Sequence, residues 1–79
     1  MINTQEIINA CDKVEQRCVM IADTHHGSSW LFDKVMRFFT AEIASESITF
    51  PVVFNTPLLG IKGEATIHRD GTLTMNTLK

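Results

Sequence analysis

The feature that most limits what this chain can fold into is a change of apolar period near Ser45-Glu46-Ser47. Before that point hydrophobic residues recur at steps of three and four, the spacing of one helical face; after it they alternate, the spacing of a half-buried strand. With its helical patterns first and its strand patterns second, the chain lacks the alternation from which parallel βαβ units are built. The expected class is α+β in the order ααβββ. Two N-terminal helices pack on one face of a three-stranded antiparallel meander of strand order 1-2-3.

The first helix is expected over residues 4–23, with Thr4 as its cap and Glu6 in the first turn, where the helix dipole favours an anion. Ile7, Cys11, Val14, Cys18 and Ile21 form its apolar face. Thr24-His25-His26-Gly27-Ser28-Ser29 breaks the pattern, and Ser28 or Ser29 is the expected cap of a second helix over 30–44. There Leu31, Phe32, Val35, Met36, Phe38, Phe39 and Ile43 fill an arc of roughly 160°, wide enough to touch both the sheet and the first helix.

Three strands follow, over 48–54, 59–68 and 72–78. Ile48, Phe50, Val52 and Phe54 alternate with Thr49, Pro51, Val53 and Asn55. Between the last two strands, a two-residue Asp70-Gly71 turn would place Leu73 on the polar face, a one-residue register error that flips a whole strand. A three-residue loop, Arg69-Asp70-Gly71, instead pairs Ile67 with Leu73 and Ala65 with Met75, with Gly71 in the left-handed position of a bulge. By similar reasoning a four-residue loop, Asn55-Thr56-Pro57-Leu58, pairs Phe54 with Leu59, Val52 with Ile61 and Phe50 with Gly63.

At 79 residues, 44% of them hydrophobic, the chain reads as one domain spanning 1–79, with a thin core. Its apolar runs fall short of the ~18 residues a membrane helix needs, and Met-Ile-Asn-Thr-Gln-Glu does not read as a secretory leader. Cys11 and Cys18, seven residues apart on one helix, would have Cα atoms about 10 Å apart, beyond disulfide reach. Two reduced thiols suit a cytoplasmic protein.

The chemistry-bearing residues do not assemble into a motif. Cys11, Cys18, His25 and His26 lack the short knuckle spacing of zinc sites, so no metal or other cofactor is expected, and the thiols read as small core residues. Nothing local activates either cysteine as a nucleophile, and phosphate loops, nucleophile elbows and suggestive carboxylate pairs are missing, so catalysis is not expected. Residues 1–47 carry net charge −3 and the remainder +1, without a basic cluster, and the polar face of the sheet has no aromatic on which a base could stack. Nucleic acid is therefore not the expected partner.

Three surfaces remain once the core is filled. Trp30 falls on the polar side of the second helix near Lys34 and Arg37, a pairing of residue types common at binding hot spots. Ile8, Asp12, Glu15 and Val19 form a second stripe on the first helix. Thr72, Thr74, Asn76 and Leu78 belong to a last strand with no proline and no charge, an edge open to pairing, whereas Pro51 blunts the opposite edge. The expected function is that of a small non-catalytic protein-binding module, acting as a homodimer or by occluding a partner protein. Size and lack of motifs alone bring to mind phage or mobile-element accessory proteins that inhibit host defence. The alternatives are a nucleic-acid-associated regulator and a small metal- or ligand-binding protein.

Overall fold

The computed structural model describes residues 2–20, 27–40, 46–55 and 60–78. Its elements are α1 (Thr4–Arg17), β1 (Cys18–Met20), α2 (Gly27–Thr40), β2 (Ser47–Phe54), β3 (Ile61–His68) and β4 (Leu73–Thr77). The fold is α+β with an antiparallel sheet, as the sequence indicates, but the sheet has four strands in the order β1-β2-β3-β4.

The extra strand comes from the expected first helix. α1 stops at Arg17; Cys18 is already extended, and its N–H closes the last turn on the Val14 carbonyl. Cys18, Val19 and Met20 pair with Phe54, Val53 and Val52. Continued as helix, this apolar run would have spread over several faces. As a strand it fills the outer edge of β2 and keeps Cys18 in the core. β2 is therefore interior to the sheet, and Pro51 does not lie on an edge strand. The Asn55 N–H donates to the Arg17 carbonyl (2.7 Å), so by alternation the N–H that Pro51 lacks is one that would have faced β1.

Other boundaries shift as well. Asn3, one residue before the expected Thr4, caps α1: its side chain accepts from the Glu6 N–H at 3.2 Å, and its carbonyl from the Ile7 N–H at 3.0 Å. α2 begins at Gly27, so Ser28 and Ser29 lie within it rather than capping it. Its expected extension through residues 41–44 lies outside the described residues, as do Ile21, His25 and His26.

The β3–β4 turn matches the three-residue reading. Ile67 pairs with Leu73 and Ala65 with Met75; Gly71 has φ +94°, and its N–H donates to the His68 carbonyl at 2.8 Å. The β2–β3 register does not match. Phe54 pairs with Ile61, Val52 with Gly63 and Phe50 with Ala65, two residues further along β3 than expected. A shift of two preserves the inward face, so the hydrophobic pattern alone does not distinguish the registers. Gly63 decides between them: a Cβ there would overlap the Phe54 ring and the Asn76 carbonyl, so this register needs a glycine where those groups meet.

Both helices cover the same face. Ile7, Ala10, Cys11 and Val14 of α1 and Leu31, Val35 and Phe39 of α2 are buried with Cys18, Phe50, Val52, Ala65 and Ile67 of the sheet. The sheet curls enough for side chains of its two edge strands to meet, with Cys18 Sγ 3.8 Å from Met75 Sδ. Arg69, in the β3–β4 turn, ties the sheet to the end of α2. It donates to the Phe39 carbonyl at 3.2 Å, lies 5.0 Å over the Phe39 ring and reaches Glu46 at 4.0 Å.

Candidate functional site

Of the surfaces singled out by sequence, the last strand is the one that ends the sheet. The sheet order leaves β4 with one neighbour, β3. The His68 N–H donates to the Thr72 carbonyl and the Leu78 N–H to the Lys62 carbonyl, both at 2.8 Å. By the alternation of an antiparallel ladder, Thr72, Thr74, Asn76 and Leu78 direct their backbone groups inward to β3. The groups that point away from the sheet belong to Leu73, Met75 and Thr77, and among the described residues no backbone bond reaches them from that side. Of the four residues named from sequence, Thr74 and Asn76 lie in β4 and Thr72 and Leu78 flank it, all with their backbones engaged to β3; the outward ladder is carried by the residues between them. Strand polarity was the missing information; it follows only once the turn fixes which pairs are bonded.

A groove of about 450 Å³ runs beside this ladder. Ala10, Leu73 and Met75 supply its apolar surface, and the α1 side carries Glu6 and Asn9 at one end and a cationic wall of Lys13 and Arg17 toward the other. The direction of α1 relative to β4 is fixed at both ends. Gly71, just before β4, lies against the backbone of Glu6, and Arg17 bonds to Asn55 beside the far end of the sheet. Helix and strand therefore run in the same sense, with Glu6 near the start of β4 and Arg17 beside Met75 and Thr77.

The other two candidates are less complete. Trp30 is half-buried against the core, with Lys34 Nζ 5.2 Å over its ring, while Arg37 is exposed. The stripe Ile8, Asp12, Glu15, Val19 does not survive as one helical surface: Ile8 and Asp12 are half-buried and Glu15 is exposed, but Val19 belongs to β1.

The thiols are held in their neutral form. Burial, with a smaller contribution from the Asp12 carboxylate, pushes Cys11 up to about 12, and burial also raises Cys18 against the opposing effect of Arg17. Neither has the positive, open surroundings that activate a cysteine. Among the described residues no cluster of metal-ligating side chains occurs, and no helix is long and apolar enough to cross a membrane. A smaller polar concavity of about 300 Å³ lies at the turn, lined by Glu46, His68, Arg69, Asp70 and Thr72. There the Thr72 hydroxyl and, at 2.9 Å, the Thr72 N–H donate to Asp70 and hold that carboxyl below its usual range. No known protein family matches the chain, and no significant match is found among curated proteins or solved structures.

Proposed function

We propose that this chain is a small non-catalytic protein-binding module that offers the outer edge of β4 to a strand of another chain. The observation that carries the reading is the ladder of Leu73, Met75 and Thr77, unpaired among the described residues, beside an open groove. A strand that ends a sheet without proline or charge is a template for pairing, and strand addition is a recurrent mode of recognition. The added strand comes either from a second copy, giving a homodimer with a continuous sheet, or from a partner whose surface is occluded. Two buried free thiols support a reducing, cytoplasmic setting.

A pair of proline substitutions separates edge pairing from folding. Thr77→Pro removes an N–H that points outward, whereas Asn76→Pro removes one that points to β3. In Thr77→Pro the thermal melt stays close to wild type, but the amides of Leu73 and Met75 lose the protection from hydrogen exchange that concentrated protein or source-cell lysate confers on wild type. Asn76→Pro lowers the melting temperature. Equal protection in wild type and Thr77→Pro would overturn the edge as the binding element.

A further inference from the structure

We infer that the strand received by β4 comes from a different protein and carries an acidic side chain opposite Met75. This rests on the strand-addition reading and names its partner's chemistry. Residues paired across an antiparallel ladder share a face. Met75 points to the helix side, where its sulfur meets Cys18, so the residue opposite it in an added strand enters the groove. There it meets an apolar floor of Leu73, Met75 and Ala10 and the cationic wall of Lys13 and Arg17. Both cations are exposed, and neither makes an ion pair among the described residues. Glu6, at the other end of the groove, lies about 10 Å along α1 from Lys13 and about 16 Å from Arg17, both beyond the Debye length of about 8 Å at physiological salt.

A second copy of the chain fits this wall poorly. Antiparallel self-pairing centred on Met75 sets Met75 against the same residue of the second copy, and Leu73 against Thr77. Arg17 lines the groove beside Met75, so that axis brings the two Arg17 side chains toward each other. β4, Leu73-Thr74-Met75-Asn76-Thr77, contributes no carboxylate to offset them. An extended segment bearing a glutamate or aspartate among apolar residues supplies what this edge lacks.

The test titrates the isotope-labelled full chain with short synthetic peptides of alternating valine and threonine that differ only in a central glutamate or lysine. The glutamate peptide is expected to shift the Leu73, Met75 and Thr77 amides and to bind several-fold tighter than the lysine peptide, with the difference shrinking as salt rises. The double variant Lys13→Gln/Arg17→Gln, on an exposed helix surface, keeps the fold and erases the preference. Equal binding of the two peptides at β4, or a preference that survives the double variant, overturns the acidic partner while leaving strand addition standing. If neither peptide moves the β4 amides, both readings fall. A homodimer paired through β4, seen as twice 8.9 kDa by light scattering and lost in Thr77→Pro, overturns the heterologous partner alone.

Discussion

Gly71 shows what one residue of this sequence can specify. Its place in a three-residue turn follows from the alternation on either side, because only that loop keeps Leu73 on the apolar face. The structure adds a second constraint: besides φ +94°, the position is pressed against α1, where a Cβ would stand 2.9 Å from the Glu6 carbonyl carbon and 3.1 Å from its Cα. Gly71→Ala is therefore expected to cost about 1–3 kcal/mol, read as a lower midpoint in urea. Asp70→Ala, which removes one exposed bond to the Thr72 N–H, should cost much less. Cys11 provides a second test. In the folded chain its thiol titrates near 12, against 9.0 for the free group, so between those values the unfolded chain has released a proton that the native one keeps. Stability is then full below about pH 9 and falls as pH rises through the window, by at most about 1.4 kcal/mol per pH unit for one thiol. Urea titrations at pH 8 and 10 should show that loss in wild type and a smaller one in Cys11→Ala.

Elements were legible in type and less so in extent. The faces of α1 and α2 and the inward side of the sheet follow directly from the periodicities, because burial demands them. The end of α1 does not, since Cys18 continues the helical spacing of Ile7, Cys11 and Val14 and also begins a strand. The signal against a longer helix was the unbroken apolar run Cys18-Val19-Met20-Ile21, which no single helical face can bury. What decides it is tertiary: the open edge of β2 offers hydrogen bonds to an extended segment. The candidate binding edge was identified as a strand but not as a ladder, because the three-residue turn was read for the face that Leu73 takes and not for the pairs that it bonds. The start of α1 gives the test at this scale. Asn3 bonds the Glu6 N–H and Thr4 lies inside the helix, so Asn3→Ala should cost about 1 kcal/mol, whereas Thr4→Ala should change stability little. Thermal melts of the two variants followed by circular dichroism distinguish the caps.

At the scale of the molecule, a curled sheet and two helices share one small core, and a chain of 79 residues has roughly 4–12 kcal/mol of stability in total. Nearly every buried side chain is then a large fraction of the whole. Ile67 is fully buried and pairs across the sheet with Ile48 on one side and Leu73 on the other, so it joins the interior strands to the candidate binding edge. Truncation to alanine leaves a cavity between three strands that the neighbouring backbone, bonded on both sides, cannot close. Ile67→Ala is expected to cost about 2–5 kcal/mol. Thr74→Ala, exposed on the far face of β4, should stay within about 0.5 kcal/mol of wild type. Urea unfolding followed by Trp30 fluorescence reports on α2, and far-ultraviolet circular dichroism on the whole backbone. Because α2 and β4 pack on the same core, the two signals should move together to a lower midpoint in Ile67→Ala. If Trp30 kept its wild-type midpoint while the backbone signal shifted, β3 and β4 would unfold separately from the helices. The edge at Leu73, Met75 and Thr77 would then belong to a less stable unit than the core beneath it.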